Sequence, residues 1–137
     1  MAHQAPISLA EVSAGYVFPP FPVRFPAEGV RAYQGVLEGK ALLATGDEEL
    51  VPPAGAAALG LGALLGHVAL PPGTLHAAQE VTAHAPLPVG NTVTCRAAVT
   101  GRAPRGETTF LTIEFSLESP AGEVVLNGKA TLLVPRA

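Results

Sequence analysis

Val51–Leu70, VPPAGAAALGLGALLGHVAL, is the stretch on which the rest of the chain has to be read. It holds no Lys, Arg, Asp or Glu, and its Ala, Gly and Leu leave almost no polar face at helical spacing. A helix that is apolar all the way round is either sheathed by other structure or embedded in lipid. For lipid the length is marginal: 17 residues separate Pro53 from Pro71, where about 20 are needed to cross hydrocarbon. Gly62 and Gly66 match the small-xxx-small spacing of membrane helix pairs, a weak signal in so Ala-rich a segment. Pro53 suits a first helical turn, where a missing N–H costs least. The segment is therefore read as a buried central helix over about 53–68, because the sequence beyond it supplies a sheet able to cover it.

After Gly73 the apolar period changes from helical to two. Strands are expected over about 75–84, 91–103, 107–118 and 123–134. In the first, Leu75, Ala77, Gln79, Val81 and Ala83 share one face, and His76, Ala78, Glu80, Thr82 and His84 share the other. In the second, Val93, Cys95, Ala97 and Val99 oppose Thr94, Arg96, Ala98 and Thr100. The third alternates most cleanly, with Leu111, Ile113, Phe115 and Leu117 inward. Tight turns at Pro104–Gly106 and Ser119–Gly122 join the last three strands as hairpins.

On the amino-terminal side, residues 1–21 read as an irregular lead-in, with prolines at 19, 20 and 22 barring that stretch from the middle of a sheet. Val23–Phe25 is a short strand. Val30, Tyr33, Gln34 and Leu37 fall on one helical face, with Gly39 placed to end the helix. Glu48 and Glu49 precede the central helix, where negative charge favours the helix dipole.

The 137 residues fit one domain, 1–137. Charged residues make up only 14% against 48% hydrophobic, too little charge to coat a free monomer, which favours an oligomer or a permanent partner. The net charge of −3, without a basic run, offers no footprint for nucleic acid. A single cysteine, Cys95, excludes an internal disulfide framework and fits a reducing compartment. No Lys or Arg precedes a hydrophobic block at the N-terminus, so the expected location is the cytoplasm, without a membrane.

The order of these elements, α+β with a curved antiparallel sheet around a buried helix, resembles the hotdog fold. More narrowly, it is similar to the MaoC-like dehydratases, especially their N-terminal, fatty-acid-synthase-dehydratase-like half domain. The likeness rests on VPPAGAAALGL, on LHAAQEVTAHAPLPVGNTVTCRAAV with Leu75, His76, Gln79, Pro86, Leu87, Gly90, Asn91 and Thr92, and on the closing TTFLTIEFSLESPAGEVVLNGKATLLV with Gly128–Thr131. The resemblance implies dimerisation sheet edge to sheet edge, as a homodimer or with a related hotdog subunit. It also implies binding of acyl thioesters, of CoA or of acyl carrier protein, in a tunnel between subunits. Active members hydrate or dehydrate enoyl thioesters with an Asp and a His five positions later, one group to activate water and the other to relay the proton.

That pair is missing from this chain. Its one aspartate is Asp47, and five positions on stands Pro52. From Val51 through Gln79 there is no Asp or Glu, so the carboxylate common in hotdog thioesterases is missing too. No catalytic residue, metal site or cofactor is therefore assigned. The acyl-thioester pocket candidates are Gly60, as part of a small-residue tunnel wall, His67, His76 and Gln79. Gln79 is the polar member of an apolar face and needs a partner, with helix backbone the expected one. His76, Glu80 and His84 at spacing four stand roughly 13–14 Å apart, too far for a shared metal or a proton relay. Arg102 and Arg105 read as solubilising charge, with a CoA phosphate as the alternative. The function expected is a non-catalytic partner of an enoyl-thioester hydratase or dehydratase. Two alternatives stand beside it: an enzyme recruiting Glu48, Glu49, His67 or His76 in an unfamiliar site, and a structural homodimer with a filled tunnel.

Overall fold

The structure, a computed structural model, describes residues 7–24, 51, 53–88 and 90–136. The helix expected over Val30–Leu37, the only aspartate and the pair Glu48 and Glu49 lie outside the described residues. Along the chain come β1 (Ile7–Ser8), β2 (Phe21–Arg24), α1 (Pro53–Leu65), β3 (Val68–Ala69), β4 (Leu75–Ala83), β5 (Thr92–Arg105), β6 (Thr108–Glu118) and β7 (Val124–Pro135). β2, β5, β6, β7 and β4 form one antiparallel sheet in that order. β5, β6 and β7 are a meander joined by tight turns, with Gly106 and Gly122 at φ +61° and +86°, a conformation that only glycine adopts freely. β4 pairs with β7 and not with the strand that follows it.

Strict alternation places one apolar face of the meander over α1. Val93, Cys95 and Val99 of β5, Leu111, Ile113, Phe115 and Leu117 of β6, and Leu126, Ala130 and Leu132 of β7 are all buried. The face of α1 that meets them carries Ala56, Ala57, Gly60, Leu61 and Leu64, all buried. Gly60 lets the helix lie close: a Cβ there stands 3.3 Å from a methyl of Leu117. This is the hotdog arrangement. The helix is not sheathed on every side, since Ala58 and Gly62 remain exposed. That stripe is made of the smallest residues, so leaving it open forfeits little buried area. Among the described residues no helix is long and apolar enough to cross a membrane.

The helix ends at Leu65, three residues before the expected 68. The N–H groups of Gly66 and His67 still bond back to Gly62 and Leu64. The chain then leaves to form β3, which runs parallel to β1, with the Leu9 N–H on the Ala69 carbonyl. The lead-in is likewise more ordered than expected: it contributes β1, an antiparallel bridge from Val17 to Ala98, and β2 from Phe21. Its Leu9, Val12 and Phe18 are buried in the common core. β2 is an edge strand four residues long, the place where Pro22 is tolerated.

Three single-residue bulges interrupt the ladders, at Ala77, Thr100 and Val125. A bulge bends its strand and reverses which side chains face inward beyond it. At Thr100 the reversal brings Arg102 into register with core-facing Leu111. Its guanidinium donates to the carbonyls of Ala10 and Val12, both at 2.9 Å. Arg105 instead lies over the Phe110 ring, 5.3 Å from its centroid. Both arginines are exposed, in keeping with their reading as solubilising charge, and each also makes a contact within the fold.

Candidate functional site

The first turn of α1, the end of β4, the turn after it and the start of β7 enclose an apolar cavity of about 220 Å³. Its floor is Val51, Ala56, Leu87, Val125 and Leu126, all buried. Exposed Pro53, Ala83 and Pro86 form the rim, with half-buried Ala85 between. The local sequence explains the shape. The Val51 N–H donates to the Leu87 carbonyl at 2.8 Å, pinning the helix entry to the Ala85–Pro88 turn. His84 and Ala85 both donate from their N–H groups to the Val125 carbonyl, at 2.9 and 3.3 Å. That carbonyl belongs to the residue bulged out of the β6–β7 ladder. The bulge therefore both anchors the turn and lets Val125 face the cavity.

Among the described residues, no lining side chain carries a titratable group. The helix contributes polarity of another kind: α-helical geometry leaves its first N–H groups without intrahelical acceptors, and the dipole makes this end partly positive. Pro53 supplies no N–H of its own.

The four pocket candidates are distributed over the fold and none lines the cavity. Gly60 is buried against Leu117 and Phe115, a packing contact between helix and sheet. His67 is exposed after the helix, its ring 4.6 Å from that of Phe21. His76 and Gln79 do come to one face, contrary to simple alternation. The bulge at Ala77 sets His76 opposite Leu132 and Gln79 opposite Ala130, so both follow Ala83 and Val81 along the inner side of β4. Leu75 is turned the other way, opposite Leu133, and is 61% exposed. The stripe of His76, Glu80 and His84 expected from spacing is thereby broken. Glu80 faces outward beside Lys129, and His84 Nε2 lies 2.6 Å from Asn127 Oδ1. Gln79 is half-buried, with no hydrogen bond to helix backbone among the described residues.

Ala83, Ala85 and Val125 were not legible as cavity residues. Alanines near a strand end carry no periodic signal, and the bulge that turns Val125 inward depends on pairing. Pro86 and Leu87 were visible as a turn motif, and the turn proves to be the one that shapes the cavity.

Cys95 is fully buried in the core, and removal from water pushes its thiol up to about 11 from an ordinary 9.0. The native protein is expected to resist iodoacetamide at pH 8 and to react once unfolded, as mass spectrometry of the alkylated chain would check. Because the unfolded thiol ionises first, this group's contribution to stability is intact below pH 9 and is lost as the pH rises toward 11. Rapid native alkylation would place Cys95 outside the core.

Comparison with known proteins agrees with this geometry. The profile of the family described as FAS1-like, dehydratase domain region, matches residues 41–127. An (R)-specific enoyl-CoA hydratase from Rhodospirillum rubrum is 37% identical over 75 residues, a stretch covering 55% of this chain and about half, 50%, of the hydratase. Among solved structures, the MaoC-like dehydratase from Rhodospirillum rubrum superposes with a TM-score of 0.75 at 19% identity, over 96% of this chain and 98% of the other. A chain of the C-terminally truncated HadBC complex, a 3R-hydroxyacyl-ACP dehydratase from Mycobacterium tuberculosis, gives 0.65 at 17% identity, covering 86% and 93%. At such identities the structural likeness is one of fold. With the profile spanning most of the chain, including α1, β4, β5 and β6, this protein belongs to the FAS1-like dehydratase-region family and has the MaoC-like hotdog fold.

Proposed function

We propose that this chain is a non-catalytic, acyl-thioester-binding subunit of an enoyl-thioester hydratase or dehydratase, acting in the cytoplasm as a dimer. A second hotdog chain supplies the Asp and His. The observation that carries this reading is the cavity lining, which among the described residues is aliphatic throughout and contains no group able to exchange a proton. Hydration of an enoyl thioester needs a base for the water and an acid for the alpha carbon, both within hydrogen-bond reach. The sequence holds no Asp-x-x-x-x-His to bring them from elsewhere, since its only Asp is followed at that spacing by Pro52.

What remains is suited to binding. The aliphatic cavity takes the acyl part, and the first-turn N–H groups of α1 suit a thioester carbonyl oxygen. His76 and Gln79, further along the inner side of β4, offer polar contacts to the arm of the thioester. Gly60 keeps the helix close to the sheet. Among the described residues β4 is a sheet edge, nine residues without proline, whose outer backbone suits a partner strand. The family membership, the (R)-specific enoyl-CoA hydratase relative and the fold shared with a chain of a dehydratase complex support the same direction.

The test is an assay of the purified chain on crotonyl-CoA, followed by loss of the conjugated enoyl absorbance. The chain alone is expected to leave the substrate at its background rate. Mixing it with a hotdog chain that carries Asp-x-x-x-x-His is expected to produce turnover. Turnover by this chain alone at an enzymatic rate overturns the proposal.

A further inference from the structure

We infer that the outer face of the sheet, at the end formed by the β5–β6 hairpin, docks onto the same face of a second copy of this chain, through a two-fold axis running along the strands between β6 and β7. This contact is separate from the β4 edge and independent of the acyl-thioester reading. Two bulges create it. Because alternation is reversed after Thr100 and before Ala77, Ala103, Phe110, Leu133 and Leu75 stand in one row across β5, β6, β7 and β4, on the side away from α1. Leu75 is 61% exposed and Phe110 37%, on the face where an antiparallel sheet over a core ordinarily turns polar groups to water. The next row, Gly101, Thr112, Thr131 and Ala78, is also without charge. The described residues that flank 25–50, Arg24 and Val51, lie at the other end of the sheet, beside Thr92 and Leu87.

The rows themselves select a second copy as the occupant. Rotation about that axis lays β6 over β7 of the second copy, and β5 over its β4. Large side chains then meet smaller ones: exposed Leu75 faces Ala103 of the other copy, and Phe110 faces Leu133. The row beyond the uncharged pair holds Glu114 beside Lys129, both exposed. The same rotation sets each Glu114 against Lys129 of the other copy, while Glu80 of that row faces Ala98. No like charges are opposed. An apolar centre with charge at its rim is the anatomy of a specific interface, and a face complementary to itself closes as a symmetric pair. The area is adequate. β6 has 11 residues, so at about 3.3 Å per residue and about 4.8 Å between strands, β5, β6, β7 and β4 together present roughly 700 Å². A stable interface takes about 800 Å² from each partner. A chain with only 14% charged residues has such a face to cover.

The experiment is sedimentation equilibrium of the full chain over a wide range of concentration, with thermal melts by circular dichroism to confirm the fold of every variant. Phe110→Asp is expected to halve the mass of the assembly and to weaken the association at least about a hundredfold. Glu114→Lys or Lys129→Glu alone opposes like charges twice across the axis, and each is expected to weaken association about thirtyfold. The double exchange Glu114→Lys with Lys129→Glu restores both pairs and is expected to return the affinity to within about threefold of the native chain. Because both positions are exposed, these variants keep the fold even if Phe110→Asp does not. A mass unmoved by Phe110→Asp, or a double exchange that associates no better than the single ones, overturns the proposal. So does a native chain that is monomeric at every concentration. The acyl-thioester reading is decided by its own assay on crotonyl-CoA, whichever way the sedimentation falls.

Discussion

Gly128→Ala is expected to be the most damaging small substitution in this protein, lowering the melting temperature by about 10 °C. Gly128 sits in the middle of β7 on the inner face, directly across from Phe115 of β6. A Cβ at this position would run into Cζ and Cε1 of the Phe115 ring, far inside van der Waals contact. The ring occupies the place of the missing side chain. Phe115 is itself buried at 3% exposure, so it has little room to swing aside. Overpacking a well-filled core costs about 1–3 kcal/mol, and more where nothing can yield. For a domain of this size about 3 kcal/mol corresponds to roughly 10 °C. The check is a double-mutant cycle. Phe115→Leu alone leaves a void and is also destabilising, yet in the Gly128→Ala background it is expected to restore part of the loss, because it removes the clash. A neutral Gly128→Ala, or strict additivity of the two changes, would show that the ring does not determine the glycine.

Arg102→Ala is expected to free the amino-terminal segment while sparing the sheet. The Arg102 fork donates to the carbonyls of Ala10 and Val12. Those residues bracket a turn that carries buried Leu9 and Val12 into the core. Charged donors to backbone carbonyls contribute about 1.5–3 kcal/mol each when buried. With one bond part-buried and the other exposed to water, about 2 kcal/mol in total is the expected loss. Hydrogen exchange separates local from global effects. The Leu9 amide, bonded to the Ala69 carbonyl, should exchange about thirtyfold faster at that loss. Amides within β6 should change far less. Arg102→Lys is expected to recover little of it, since one ammonium cannot reproduce a planar fork. Unchanged exchange at Leu9 would mean that β1 and β3 hold the segment without the arginine.

Both expectations concern residues whose roles were hidden in the linear pattern, and the reasons differ. Gly128 looked like a small residue in a strand, and nothing nearby in sequence announces a ring across the sheet. Arg102 alternated outward by count, and a one-residue bulge at Thr100 turned it inward. The same device at Ala77 moved His76 to the side of Gln79, and at Val125 it opened the cavity floor. By contrast, the inner faces of β5 through Val99 and of β6 were legible residue by residue, because period-two alternation of apolar groups holds wherever the ladder is unbroken. The central helix was legible because twenty residues without a charged side chain have so few places to go. Its end was not: the backbone from Val68 was recruited by Ile7 and Ser8, a pairing across some sixty residues.

By itself, then, the sequence determined the class of architecture, the buried helix and the lack of an Asp-x-x-x-x-His pair. These follow from composition, from periodicity and from the identity of single positions, all of which are local and survive without coordinates. Tertiary structure alone decided which strand lies beside which, where the bulges fall, and hence that an aliphatic cavity opens between Ala83 and Val125. Those are matters of register, and register is set by the competition of whole strands for partners, in which a shift of one residue reverses every side chain beyond it.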